Sequence, residues 1–341
     1  MLYSIARSAL FQLDAERSHE LTLDLLERFP RLAGAVMGQT LVNAPVEVMG
    51  LRFANRVGLA AGLDKNALCL AAWERFGFGS VEVGTVTPRP QPGNPKPRLF
   101  RLPEHAALIN RLGFNNQGME ALAARLERTR SQFTGVLGIN IGKNADTPIE
   151  RAADDYVLCL NRLHRHADYI TVNISSPNTK NLRDLQSDAA LDGLLAAIAQ
   201  ARKPLVQVEG RQAPVLVKIA PDLPDEALPA LVDLCRRHGM DGLIATNTTL
   251  ARDAVAGHAH AAEAGGLSGR PVKARAQQVL QQLRAAAGID FPLIGVGGIA
   301  SAEDALARCS AGADLVQIYT GFIYQGPPLV ADCARRLAAA P

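Results

Sequence analysis

The chain has no CxxC spacing, and its five cysteines (Cys69, Cys159, Cys235, Cys309 and Cys333) are scattered and odd in number. This argues against a disulfide framework and a thiolate zinc site, and it favours reduced thiols in the cytosol. No run of about 18 uncharged apolar residues is present, so no membrane-spanning helix is predicted. The N-terminus lacks the basic, apolar, then small pattern of a signal peptide. Net charge is small as well. Lys and Arg number 36 against 33 Asp and Glu, a net charge of +3 with no basic block, which argues against a nucleic-acid partner. What remains is 341 residues, 48% hydrophobic and 20% charged, the composition of an ordinary globular protein. That length allows two domains, or one barrel of about 250 residues with an appendage.

From Val46 onward apolar runs alternate with helical patterns. Strands are predicted at Val57–Ala61, Ser80–Gly84, Val136–Ile141, Tyr169–Val172, Val215–Ile219, Gly242–Thr246, Leu293–Val296 and Leu315–Tyr319. Helical patterns follow most of them: Ala67–Phe76, Leu191–Ala201, Glu226–His238, Arg275–Ala286 and Ala302–Ser310. Eight such units predict a (β/α)8 TIM barrel; an open doubly wound sheet is the competitor. Residues 1–40 differ. Tyr3, Ile5, Leu10 and Leu13 recur at helical spacing, and after Asp14, an N-cap residue, Leu21, Leu25, Leu26 and Phe29 repeat the pattern up to Pro30. Two amphipathic helices are predicted, which either pack on the main domain or meet a lipid surface. Residues 252–267, rich in Ala, Gly and His, read as a mobile loop with His258 and His260 solvated.

The polar residues collect at strand ends, where a barrel places its active site. The run Asn173-Ile174-Ser175-Ser176-Pro177-Asn178-Thr179 follows a buried strand. Alone it reads as a serine-rich turn; polar groups at a buried strand end also need partners, which points to a ligand. Elsewhere stand Ala61-Gly62-Leu63-Asp64-Lys65, Thr85, Asn110-Arg111-Leu112-Gly113-Phe114, Asn140, Lys218 and Thr246-Asn247-Thr248. Glycine turns at Gly297-Gly298 and at Tyr319-Thr320-Gly321, after the last two strands, match the place where barrels bind phosphate. The amides both donate and accept, which suits a cyclic imide or urea edge. Asp64 is the only carboxylate in these motifs, so a paired-carboxylate hydrolase and a metal site are disfavoured.

The motifs LAAGLDKN, GFGSVEVGTVTPRPQPGNPKPRLFRL, INRLGFNN, GVLGINIGKN, VNISSPNT, VKIAPDL, GLIATNTT, GGLSGRP, IGVGGI and LVQIYTGF together resemble the dihydroorotate dehydrogenases, specifically their quinone-linked, membrane-associated class 2. The similarity spans nearly the whole chain, including the N-terminal helices. It implies one FMN per chain, bound by Ala61, Gly62, Leu63, Asp64, Lys65, Thr85, Asn140, Asn173, Lys218, Thr246, Gly269, Gly298, Tyr319 and Thr320. Dihydroorotate is expected at Lys65, Asn110, Asn173, Asn178, Asn247 and Thr248, beneath the Arg111–Phe114 turn (Arg111, Leu112, Gly113, Phe114), with Ser176 as the base that takes the C5 proton.

The soluble fumarate- or NAD-linked classes carry cysteine at that position and lack the helical extension; the NAD form adds an iron–sulfur subunit. A third possibility is a flavin-binding scaffold without catalysis, which predicts a degraded polar set. The resemblance therefore implies a monomer without an iron–sulfur partner, peripheral on the cytoplasmic side of the cell membrane. Residues 1–40 form the quinone entrance and residues 41–341 the barrel. Ile5, Leu10, Leu21, Leu25 and Phe29 are expected to turn inward along that entrance, with His19 and Arg101 holding the quinone carbonyl.

Overall fold

The computed structural model describes residues 2–179, 181–210 and 212–340. Three helices come first: α1 (Leu2–Leu10), α2 (Ala15–Arg28) and α3 (Pro30–Met37). Asp14 caps α2, its carboxylate accepting from the Glu16 and Arg17 N–H groups, both at 3.0 Å. The expected two-helix segment has three because Pro30 starts a new helix rather than only ending one. Proline is tolerated in a first turn, where its missing N–H costs no bond.

A hairpin, β1 (Val46–Val48) and β2 (Leu51–Phe53), leads to β3 (Val57–Leu59), α4 (Leu70–Arg75) and β4 (Ser80–Val86). Next are β5 (Leu99–Leu102), β6 (Ala107–Asn110), α5 (Gly118–Thr129), β7 (Val136–Ile141), α6 (Ala152–Leu163) and β8 (Tyr169–Asn173). Then follow α7 (Asp188–Glu209), β9 (Val215–Ile219), α8 (Ala227–Arg237), β10 (Gly242–Ala245), β11 (Gly266–Gly269) and α9 (Lys273–Ala287). The chain ends with β12 (Leu293–Val296), α10 (Ala302–Ser310), β13 (Leu315–Ile318), α11 (Thr320–Gln325) and α12 (Pro328–Ala338).

All eight predicted strands form one closed parallel barrel in the order β3-β4-β7-β8-β9-β10-β12-β13. The pairing of Val316 in β13 with Val57 in β3 closes it and removes the open-sheet alternative. Parallel strands covered on both faces read as continuous apolar runs, which is why they were legible. Phe53 and Val48 of the hairpin pack with Val136, Tyr169, Leu216, Ile244, Ile294 and Leu315 in the barrel interior. A larger apolar layer lies between strands and helices.

Two expectations fail at the mouth. Gly266 and Leu267, the end of the expected 252–267 loop, belong to strand β11, antiparallel to β6, which pairs in turn with β5. His258 and His260 are half-buried rather than solvated. The His258 ring lies 5.7 Å from that of His105 and 5.6 Å from that of His260, whose ring is 5.2 Å from Phe100. Sheet pairing from Ala107–Asn110, distant in sequence, supplies partners that local composition does not announce.

Candidate active site

The strand ends enclose a cleft of about 970 Å³. Its lining includes Ser268, Gly269, Gly297, Gly298, Tyr319 and Thr320. Gly298 has φ +75°, and a Cβ there would stand 2.4 Å from the Lys273 Cβ, so the turn admits only glycine. The same cleft is lined by Lys65, Asn110, Asn173, Ser176, Asn178, Asn247 and Thr248. Three polar atoms of cleft-lining residues are buried without a partner among the described residues: Thr246 Oγ1, Gln317 Oε1 and Asn178 Oδ1. Buried polar atoms of this kind call for a bound partner.

A directed set of hydrogen bonds positions the amides. Asn173 Nδ2 donates to Thr85 Oγ1 at 3.0 Å and to Asn140 Oδ1 at 3.1 Å. Its own Oδ1 accepts from the Ser175 hydroxyl at 3.1 Å, while Asn247 Nδ2 donates to Ser175 Oγ at 3.0 Å. Asn178 Nδ2 donates to Asn110 Oδ1 at 3.1 Å. Ser176 is 5% exposed, and its Oγ accepts from the Asn178 N–H at 3.2 Å, which leaves its hydroxyl proton uncommitted among the described residues. Thr179 Oγ1 is likewise buried without a partner.

Two lysines set the charge. Burial, joined by the nearby Arg98 guanidinium, lowers Lys65 to about 8 against the pull of Glu16 and Asp64. Burial also lowers Lys218, partly offset by Glu82, whose Oε1 is 3.9 Å from the lysine Nζ.

A second cavity of about 900 Å³ lies beneath the N-terminal helices. It is lined by Leu10, Phe11, Ser18, His19, Thr22 and Leu26, and by Leu63, Trp73, Arg101 and Phe322 of the barrel side. Tyr319 lines both cavities. Burial, with the Lys65 charge, lowers His19 to about 3, which keeps it neutral. Arg101 donates to Leu13 O at 2.8 Å and Ser18 Oγ at 2.7 Å and lies 4.6 Å over the Phe11 ring, so it ties the turn after α1, and α2, to strand β5.

Of the five residues expected to turn inward here, only Leu10 does. Ile5, Leu21, Leu25 and Phe29 are 64%, 39%, 47% and 54% exposed. The inner face of α2 is instead Ala15, Ser18, His19, Thr22, Leu23 and Leu26, a helical stripe of mixed polarity.

The predicted residues mostly converge, with four exceptions in side-chain direction. Leu63 faces the second cavity. Asp64 caps α4, accepting from the Leu68 and Cys69 N–H groups at 2.8 and 2.9 Å and from the Trp73 indole at 2.9 Å. Arg111 turns away to Glu263 at 2.6 Å and stacks 4.7 Å over Phe100, leaving its backbone to the turn. Asn140 lies behind Thr85 and Asn173.

Sequence reasoning missed Gln317 and Glu82, although each, like Lys218, is a polar residue inside an apolar strand. It also missed Asn94, whose Nδ2 donates to Arg111 O at 2.8 Å and Asn178 O at 3.2 Å and so joins two mouth loops.

The dihydroorotate dehydrogenase family profile matches residues 43–340. A dihydroorotate dehydrogenase (quinone) from Acidovorax sp. (strain JS42) is 60% identical over 98% of this chain and 97% of its own. The protein of that name from Delftia acidovorans is 56% identical over 98% of both. Among solved structures, DHODH from Eimeria tenella in complex with ferulenol superposes with a TM-score of 0.87 at 38% identity, covering 95% of this chain and 90% of that one.

Proposed function

The chain belongs to the dihydroorotate dehydrogenase family, and on that footing we propose how its residues divide the work. It is a quinone-linked oxidoreductase that converts dihydroorotate to orotate in pyrimidine biosynthesis, with FMN as cofactor and quinone as second substrate. The residues present suit FMN. The glycine turns offer backbone N–H groups to a phosphate, and the unpartnered Thr246 Oγ1 and Gln317 Oε1 are free to meet a flat polar ring. Gly269, Gly298, Tyr319 and Thr320 would hold the phosphate; Ala61, Gly62, Thr85, Asn173, Lys218 and Thr246 would hold the rest. Bound FMN supplies the acceptor for the hydride that leaves C6 of dihydroorotate.

Lys65 pairs with the substrate carboxylate, and Asn110, Asn178, Asn247 and Thr248 read the ring edge. Ser176 Oγ takes the C5 proton as the C5–C6 double bond forms. A serine hydroxyl is a weak base, so it must hand a proton on; Thr179 Oγ1, buried and unpartnered, is available. The observation that carries this reading is the convergence of an uncommitted Ser176 hydroxyl, Lys65 and four amides on one cleft that glycine turns also line. Purified protein is expected to be yellow and to bleach when dihydroorotate is added without air. A yellow protein that dihydroorotate does not bleach overturns the assignment.

Residues 1–40 form the quinone entrance and residues 41–341 the barrel. No helix among the described residues is long and apolar enough to cross a membrane. The segment instead exposes Leu2, Ile5, Leu21, Leu25, Phe29, Leu32 and Val36, which supports peripheral contact with the cytoplasmic side of the cell membrane. The enzyme acts as a monomer without an iron–sulfur subunit, as quinone access through this segment requires no partner.

A further inference from the structure

The eight barrel strands contain two charged residues, Glu82 in β4 and Lys218 in β9. Both are buried, Glu82 at 0% and Lys218 at 4% exposure. Glu82 does not line the cleft; it lies behind the residues that do. Its Oε1 accepts from Asn140 Nδ2 at 2.8 Å, and its Oε2 accepts from Gln317 Nε2 at 2.7 Å and Tyr169 OH at 3.0 Å. Lys218 Nζ stands 3.9 Å from Oε1. No other barrel strand turns a charge toward the pair; Asn140, Tyr169, Thr171, Asn173 and Gln317 are neutral donors and acceptors. Burial and the Glu82 charge raise Tyr169 well above its usual range, so its hydroxyl stays a donor.

A carboxylate only accepts. Asn140 must therefore turn its NH₂ to Glu82 and its carbonyl toward the cleft, where Thr85 and Asn173 donate to it at 2.5 and 3.1 Å. That leaves Asn173 Oδ1 to accept from Ser175. Every bond in the series points its donor toward Glu82.

We propose that Glu82 is a positioning residue for the flavin step: it keeps Lys218 a cation beside the flavin ring and fixes the donor–acceptor direction of the amides that lead to Ser175. A buried lysine without a counter-charge tends to lose its proton, and an opposite charge within about 4–6 Å restores it by about 1–3 pH units. This rests on the flavin lying against Lys218, as proposed above.

The test is the midpoint potential of the bound flavin across pH in the holoenzyme. Glu82→Gln keeps the shape and removes the charge. The break in its potential–pH curve, where Lys218 loses its proton, is expected about 1–3 pH units below that of the parent. In a Lys218→Arg background, whose guanidinium does not titrate, Glu82→Gln is expected to add no break. A Glu82→Gln holoenzyme with the parent curve overturns the proposal, as does the same break in the Arg background. Lys218→Met separates the two readings: an unchanged potential means that the flavin does not lie against Lys218. Should Glu82→Gln not bind flavin, the nitrogen resonance of Lys218 in the parent holoenzyme decides, identified by its loss in Lys218→Arg. An ammonium across the neutral range upholds the proposal, and a neutral amine overturns it.

Discussion

The Tyr319 hydroxyl lies 3.4 Å from the Gly62 carbonyl, and a Cβ on Gly62 would stand 3.2 Å from the Tyr319 ring. Gly62 has φ +104°, a region open to glycine. The pair joins the two cavities, because Tyr319 lines both. Gly62→Ala is expected to strain the backbone by about 1–2 kcal/mol and to lower FMN retention about tenfold. Flavin content after gel filtration measures this; full retention refutes the close fit.

Ser176→Ala should keep FMN and lose about 10²–10⁴-fold in the rate of flavin reduction. Ser176→Cys should retain part of the activity with a lower pH optimum, since a thiol ionises more readily. Stopped-flow reduction at the parent rate in Ser176→Ala would remove the serine from the role of base.

Asn178→Ala and Asn247→Ala should each weaken orotate binding by about 0.5–1.5 kcal/mol, and by more where a partner is stranded. Asn110 loses its amide donor in the first variant and Ser175 Oγ loses one in the second. Titration with orotate, followed by the flavin spectrum, gives the dissociation constants; unchanged values place these residues outside the ligand site.

Lys65 gives a pH dependence. Because burial lowers it to about 8, the cation that meets the substrate carboxylate is present below that value and is lost as pH rises through it. kcat/KM for dihydroorotate, which reports the free enzyme, should therefore fall about tenfold per pH unit above that point. Lys65→Arg should move this limb to higher pH. The effect on stability has the opposite direction. Between about 8 and the ordinary lysine value of 10.5, the unfolded chain holds a proton that the native chain has released, so this group favours the native state more as pH rises. A flat alkaline profile of kcat/KM would count against Lys65 as the carboxylate partner.

Deleting residues 1–40 should spare bleaching by dihydroorotate, slow reoxidation by long-chain quinone and reduce vesicle binding. The deletion uncovers Leu63, Trp73, Phe76 and Phe322, so a soluble, flavin-loaded preparation is the fair sample. Leu25→Glu with Phe29→Glu avoids that problem, since both side chains already face outward. The pair should weaken vesicle binding and leave flavin reduction intact. If the soluble deletion reduced long-chain quinone at the full-length rate, the segment would be packing alone.

The eight strands, the glycine turns and the serine motif were legible in the sequence, because each depends on a short stretch. A strand buried on both faces is an apolar run, and a left-handed turn with no room for a Cβ needs glycine. The inward side of α2 was not legible. Choosing the most apolar residues for the inside picked Leu21, Leu25 and Phe29, whereas the cavity takes Ser18 and Thr22 beside the expected His19. Strand β11 needed β6, and the direction of Arg111 needed Glu263. Glu82 is the clearest case. Its sequence neighbours Val81 and Val83 say only that it is buried. Its partners Asn140, Tyr169, Lys218 and Gln317 stand on four different strands, β7, β8, β9 and β13. Closure of the barrel alone brings them within hydrogen-bonding or ion-pair reach, so what that carboxylate does was decided by tertiary structure.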